Sequence, residues 1–419
     1  MSQTSKRRFL LAPFLLAPFL VGAPAIADTP PTFRIVESVP EASIYGEPGV
    51  PRTQDVWLEM IRHARHSIDI AAFYVADKPG HALAPVLDAL VERARAGVPV
   101  RLLVEKSFMK DTGPSTARLQ GVPNLTIEIL PTGQLTGGVL HAKYMIVDAV
   151  QVFVGSQNWD WRALEEIHEI GAEITDARFA RSFEAAFEEL WALGADPDLP
   201  KAQKRSVLPP DFAPVTSADP VILDRAGNDP LVAFPAFSPP PMIPAWLTQE
   251  EPALIEMIHA ARHTVRIQVM TLSAIHSYGP KGFWPGLDTA FRDAAARGVS
   301  VEIIVADWAL HEPMQSYLKS LAVFPGITVK FSSVPQAPSG FIPYARVEHC
   351  KYAVADDDSV YVGTGNWEWS YFATTVDASV FVHGKGPAAT LTRIFERDWT
   401  SPNVTQISAG TTYTPPRTQ

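Results

Sequence analysis

Two short stretches of this chain hold the residues that could do chemistry. The first, residues 139–162, reads VLHAKYMIVDAVQVFVGSQNWDWR and carries His141, Lys143 and Asp148 in the pattern HxKxxxxD, then Gly155-Ser156-x-Asn158. The second, EHCKYAVADDDSVYVGTGNWEW, repeats the pattern with His349, Lys351 and Asp356, then Gly363-Thr364-x-Asn366. Six residues separate the Asp from the Gly in both copies, and a Trp follows each Asn. Chance rarely produces two such patterns with the same internal spacing.

Each copy offers one imidazole, one ammonium, one amide and one hydroxyl. Two lysines and two asparagines meeting at one point bind a tetrahedral phosphate. Two imidazoles on opposite sides of it can divide an in-line displacement. One attacks phosphorus as a neutral nucleophile; the other, protonated, gives its proton to the leaving oxygen. An attacking imidazole needs its far nitrogen held by an acceptor. Glu169 lies eleven residues after Asn158 and Asp377 eleven after Asn366, so these carboxylates are the candidates. The catalytic set is therefore His141, His349, Lys143, Lys351, Asp148, Asp356, Glu169 and Asp377, with Asn158, Asn366, Ser156 and Thr364 as substrate-binding groups. The lysines argue against a His/Asp metal site, because an ammonium beside a cation is unfavourable. Neither a metal nor a cofactor is expected.

These side chains need elements to carry them. In a strand, positions i and i+2 share a face, so His141 and Lys143 project together, as do His349 and Lys351. Cys350 points the other way, into the core, as an inert thiol. Asp148 and Asp356 have the opposite parity and sit where each strand turns, which suits an orienting or structural role. The next strand delivers Ser156 and Asn158, or Thr364 and Asn366, to the start of a helix, where free N–H groups favour an anion. Trp159, Trp161, Trp367 and Trp369 could stack bases at the mouth of the cleft. His311 lies on a loop that could reach the site. His66 and His263 read as helix C-terminal residues.

Around the first motif the spacing predicts helices over residues 54–66, 83–96 and 180–193, and strands over 67–74, 100–104 and 125–130. The second half echoes this order. LEMIRHARHSIDI (58–70) aligns without gaps on IEMIHAARHTVRI (255–267). A repeat this long means two fused α/β units rather than a solenoid, each a mixed or parallel sheet with helices on its faces. The halves are residues 28–198 and 251–402, joined by a proline-rich connector, 199–250, read as an extended run along the surface. A polar tail, 403–419, reads as frayed.

Residues 1–27 read as a cleavable signal peptide: basic Lys6-Arg7-Arg8, an apolar run over 9–21, and Ala25-Ile26-Ala27 before the cut. The run is too short to span a bilayer comfortably and contains Pro13 and Pro18. Export to a periplasm or the medium is expected, with no stable membrane span. Losing those three basic residues takes the net charge from −10 to −13. Such a surface repels nucleic acid and anionic membranes at long range, so a phosphate substrate must meet a local basic site. The single cysteine excludes an intrachain disulfide.

The paired HxKxxxxD motifs with G[ST]xN resemble the phospholipase D superfamily. LTGGVLHAK, GSQNWDWRAL, PYARVEH, GTGNWEWSYF and FWPGLDTAFRDAAARGV are similar to the animal lysosomal phospholipase-D-like 5′ exonucleases that act on single-stranded DNA and RNA. The likeness covers nearly all of residues 34–400. It implies two pseudo-symmetric α/β/α sandwich halves with one active site at their interface. It also implies that His141 forms a phosphohistidine and that His349 protonates the leaving group. Those animal proteins are disulfide-bonded and at first membrane-anchored, whereas this chain has one Cys and a signal that reads as cleavable. The expectation is an exported, metal-independent phosphodiesterase, foremost a 5′ exonuclease on single-stranded nucleic acid. A phospholipase D or transphosphatidylase acting on phospholipid would use the same chemistry. A catalytically silent binder of envelope lipid or nucleic acid is the third reading, which the intact motifs disfavour.

Overall fold

The computed structural model describes residues 31–198, 212–224 and 229–419. The signal-peptide reading (1–27) falls outside them, as does part of the connector. Two large sheets organise the rest. The first runs, strand by strand, Thr32–Ser38, Glu169–Thr175, Gln151–Gly155, Tyr144–Val147, Ile68–Ala72, Val100–Glu105 and Leu125–Leu130. The last three are parallel, as the helices between them require; the others are antiparallel. The second sheet repeats this order as Leu231–Ser238, Asp377–His383, Ser359–Gly363, Lys351–Ala355, Thr264–Val269, Ser300–Ala306 and Ile327–Ser332, with one short extra strand at each edge.

The apolar spacing seen in the sequence explains the layers. Helices Thr53–His63 and Leu83–Arg95 bury Val56, Trp57, Met60, Val86, Leu87 and Leu90 against one face of the first sheet. Helices Glu250–Ala260 and Gly286–Ala296 do the same on the second. On the inner side, helices Ala177–Ala195 and Lys385–Trp399 share a single core with strands of both sheets. The halves are therefore joined through apolar packing. Gly138 marks how close they come: a Cβ there would overlap the Thr374 carbonyl and the Thr375 amide.

Two expectations need correction. The connector supplies strands, Val221–Leu223 and Leu231–Ser238, rather than a surface run. Leu231–Ser238 pairs antiparallel with Asp377–His383, as Thr32–Ser38 does with Glu169–Thr175. Its run LVAFPAF was too apolar to lie in water. Pro235 is tolerated because the neighbouring edge strand pairs only with Leu231 to Ala233, so no ladder partner needs the missing N–H. The tail is not frayed either: Val404–Gln406 adds a strand beside Ile327–Ser332. Ile407 is buried, and Tyr413 exchanges two hydrogen bonds with Gln315 (2.9 and 3.0 Å).

Candidate active site

The site forms where the halves exchange backbone. The chain enters the first motif through a bridge between Leu140 and Val376, and the His141 N–H donates to the Val376 carbonyl at 2.9 Å. The second motif mirrors this with a His168–Glu348 bridge, and the His349 N–H donates to the His168 carbonyl at 2.9 Å. His141 and Lys143 thus precede the strand Tyr144–Val147 instead of lying inside it, while Lys351 opens its own strand. The extended backbone still puts each His and Lys on one face.

The carboxylates are exchanged between the halves. His141 Nδ1 lies 3.0 Å from Asp377 Oδ1, and His349 Nδ1 lies 2.7 Å from Glu169 Oε2. An Nδ1–H donated to a carboxylate leaves Nε2 with its lone pair, the tautomer that a nucleophile or proton carrier needs. Lys143 Nζ donates to the His141 carbonyl, and Lys351 Nζ to the His349 carbonyl at 2.6 Å. All six residues are buried, with 8% exposure at most.

Burial sets the charge states. It pushes His141 well below the usual histidine value, helped by the charges of Lys143, Lys351 and His349. Burial also pushes His349 down, with Lys351 and Lys143 adding to it. The exchanged His141–Asp377 and His349–Glu169 contacts bring the two motifs together. Burial drives Lys143 well down and Lys351 to about 8, and drives Glu169 and Asp377 well up. Burial of this kind disfavours every charge. The amide oxygens of Asn158 and Asn366 are buried and unpartnered among the described residues. Asn366 Nδ2 donates to the Tyr371 hydroxyl at 3.0 Å.

The profile described as cardiolipin synthase, PLD-like domain, matches residues 57–191 and 254–399. The chain belongs to the phospholipase-D-like family. It is a phosphodiester hydrolase. It is 34% identical over 397 residues to the 5'-3' exonuclease PLD3 of Homo sapiens, covering 88% of this chain and 79% of that protein. With the 5'-3' exonuclease PLD4 of Mus musculus it shares 30% identity over 400 residues, covering 88% and 78%. Its fold is similar to the crystal structure of phosphatidylserine synthase of Haemophilus influenzae (TM-score 0.58, 14% identity, 84% and 85% of the two chains covered).

Within this phospholipase-D-like framework several expected site residues do other work. Asp148 and Asp356 stand at the far turn of their strands, with positive φ. Asp148 accepts the backbone N–H groups of Arg65, His66 and Ser67 at 2.6 to 3.0 Å, and Asp356 those of Arg262, His263 and Thr264 at 2.6 to 2.9 Å. They clamp the turn that leads from helix to central strand, at the opposite end of the motif strand from the His–Lys pair. The Ser156 and Thr364 hydroxyls are also engaged by the protein itself. Each caps the strand beside it, Ser156 through the Ile170 amide and Thr364 through the Ala378 amide, both at 3.0 Å. Thr364 Oγ1 also donates to Asp377 Oδ1 at 2.7 Å, fixing the carboxylate that holds His141.

No helix begins at Asn158 or Asn366. Two-residue strands, Trp159–Asp160 and Trp367–Glu368, intervene before five-residue helices. Trp159 and Trp367 are buried core residues, Trp159 stacked on Trp57 at 4.6 Å. Trp161 and Trp369 are partly exposed, the first beside Lys78 and the second stacked on His276 at 4.4 Å. His311 is exposed, and its carbonyl accepts from the Gln315 amide in the helix that follows.

Sequence reasoning missed the rings around His141: Phe73 at 4.9 Å and Tyr371 at 5.0 Å, centroid to centroid. It also missed His168 and Glu348, although each adjoins a residue that was singled out. Donor atoms of His168, Glu348 and Cys350 lie within 4.8 Å of one another. A cation there would have to break the His168–Glu348 hydrogen bonds and sit near Arg397, 3.3 Å from the ring's other nitrogen, so the group suits an ion-pair network better.

Proposed function

We propose that this chain is an exported, metal-independent 5′ exonuclease that removes nucleotides from single-stranded nucleic acid through a phosphohistidine. The observation that carries this is the pair of exchanged His–carboxylate contacts flanking two lysines in one buried pocket. The similarity to two 5'-3' exonucleases over most of their length supports the choice of polymer. The basic n-region and cleavage pattern of residues 1–27 support export.

The phosphate enters between Lys143 and Lys351, whose charges it balances. That negative charge also lifts the affinity of the imidazoles for a proton, so one of them can be charged in the complex. His141 Nε2 attacks phosphorus while its Nδ1–H is held by Asp377. His349, charged and held by Glu169, gives a proton to the departing oxygen. Water then enters on the leaving side, His349 takes its proton, and attack on phosphorus breaks the P–N bond and frees His141. Each step has its acid or base within one pocket.

The deciding experiment compares nucleotide release from a 5′-hydroxyl single-stranded oligonucleotide with choline release from phosphatidylcholine vesicles. Release from the oligonucleotide alone is expected. Choline release alone would replace this reading by the phospholipase D or transphosphatidylase one. No turnover of either, or of a generic phosphodiester, would leave a binding protein.

A further inference from the structure

The two seams that hold the catalytic dyads are built differently. Successive extended residues face opposite sides, so behind each dyad lies a second pair contributed by the residues just before it. Behind His141–Asp377 that pair is Leu140 and Val376, buried and apolar. Behind His349–Glu169 it is Glu348 and His168, both with 0% exposure. His168 Nδ1 lies 2.8 and 3.0 Å from the Glu348 carboxylate oxygens, and Nε2 lies 3.1 Å from Glu37 Oε1. Asp398 Oδ2 stands 3.6 Å from Nδ1, Arg397 Nη2 3.3 Å from Nε2, and the Tyr45 ring 4.5 Å from the imidazole. The Cys350 N–H donates to Glu348 at 3.3 Å. Every charge in this cluster has a partner, which is the condition for an ionic group to persist in a core.

The two pairs at this seam form a crossed ladder: His168 and Glu169 from the first half meet Glu348 and His349 from the second. The His349 N–H to His168 carbonyl and the His168 N–H to Val347 carbonyl bonds (2.9 and 3.2 Å) tie the same residues along the backbone. A hydrogen-bonded ion pair fixes distance and direction, whereas an apolar contact fixes only packing. We propose that His168 and Glu348 are positioning residues for the His349–Glu169 dyad, setting the register that aims His349 at the leaving oxygen. On the opposite seam the backbone bonds are matched (His141 N–H to Val376 carbonyl and Val376 N–H to Val139 carbonyl, both 2.9 Å), but the side chains of Leu140 and Val376 only pack. This rests on His349 being the proton donor. The assignment gives an asymmetric role to a pair that neither motif contains.

The test uses the full-length enzyme with Glu348→Ala and Glu348→Gln, the latter keeping an acceptor within reach of His168. Two phosphodiesters are compared, one losing an alkoxide and one losing p-nitrophenolate, which departs without a proton. Misplacing a catalytic group by about 1 Å can cost roughly 10²-fold. Glu348→Ala should therefore lower the single-turnover cleavage rate of the alkoxide ester by roughly that factor, with substrate affinity little changed and first-turnover p-nitrophenolate release nearly intact. Glu348→Gln should recover most of the loss. Equal loss with both esters, or no loss, would overturn the proposal. Should Glu348→Ala fail to fold, the ¹⁵N imidazole spectrum of Glu348→Asp, whose carboxylate is drawn back from His168 by one methylene, decides. A His349 Nδ1–H resonance shifted from that of the parent enzyme supports positioning, and an unmoved one refutes it. His349→Ala is the control for the underlying assignment. If it slows the first turnover of both esters equally, His349 is not the acid, and the spectrum still judges the positioning claim by itself.

Discussion

Asp377, in the second half, holds the imidazole of His141, in the first, at 3.0 Å, and Glu169 returns the arrangement to His349 at 2.7 Å. A carboxylate lesion in one half should therefore appear as a defect of the other half's histidine. Asp377→Asn should slow formation of the phosphoenzyme for every leaving group, because the amide can favour the wrong tautomer of His141. Glu169→Gln should spare good leaving groups and slow poor ones. Losses of about 10²–10⁴-fold are expected for the affected step. Single-turnover kinetics with two esters would separate them; the opposite pattern would reassign the dyads.

The two histidines should separate in the same way. His141→Ala should abolish turnover of every ester, since no covalent intermediate can form. His349→Ala should retain cleavage of a p-nitrophenyl ester and accumulate phosphate on His141, because the base that activates water is gone. Mass spectrometry of quenched protein reads this directly. An adduct at His349 in His141→Ala would reverse the roles, and no adduct in either would indicate direct attack by water.

The pH profile of kcat/KM should be bell-shaped, with limbs that belong to the coupled histidine pair. Burial and the lysines push both imidazoles below the usual histidine value. A form with one ring neutral and the other charged is then most populated on the acid side of about pH 6.5. The optimum should lie there, and replacing Lys143 or Lys351 by Met should move the limbs upward in the residual activity. A flat profile from pH 4 to 9, or an optimum in the alkaline range, contradicts the two-histidine mechanism.

Chelation should leave the rate unchanged. Lys143 and Lys351 supply the positive charge that a divalent ion supplies in other phosphoryl-transfer sites. Loss of turnover in EDTA, restored by added metal, would sink this account.

Asp148 and Asp356 should behave as stability residues. Burial pulls the Asp356 carboxyl up, but the Thr264, Arg262 and His263 amides outweigh it and hold the group below its usual value. Its folded value is depressed, so its contribution is present above about pH 3.8 and is lost as pH falls through the lower folded value. Asp148→Ala or Asp356→Ala should cost about 1.5–3 kcal/mol in urea unfolding at pH 7. Turnover per folded molecule should change little. A rate loss without a stability loss would return these residues to the reaction.

Much of this was legible in the sequence because repetition exposes it. The doubled spacing singled out His141, Lys143, His349 and Lys351, and equal offsets singled out Glu169 and Asp377. The spans fit where periodicity was strong, as in Leu83–Arg95 and Leu125–Leu130. Which carboxylate holds which ring was not legible, because the exchange depends on how two sheets meet rather than on distance along the chain. Ser156 and Thr364 misled for a related reason: a hydroxyl beside a site reads the same whether it faces substrate or the neighbouring strand. The strand Leu231–Ser238 was hidden by Pro235 and the prolines around it, and the tolerance of Pro235 appears only once the neighbouring strand's length is known. His168 and Glu348 escaped because their partners are far away in the sequence, in Glu37, Arg397 and Asp398.

The chain's one cysteine, Cys350, lies on the hidden side of the His349 strand, 3.6 Å from His168 across the seam, and burial holds its thiol well above the usual value. In the assembled protein it should be shielded from alkylating reagents. Any excursion that parts the two halves must uncover it. Its thiol is thus a built-in reporter of the seam, and the rate at which a maleimide finds it would time how often that seam parts.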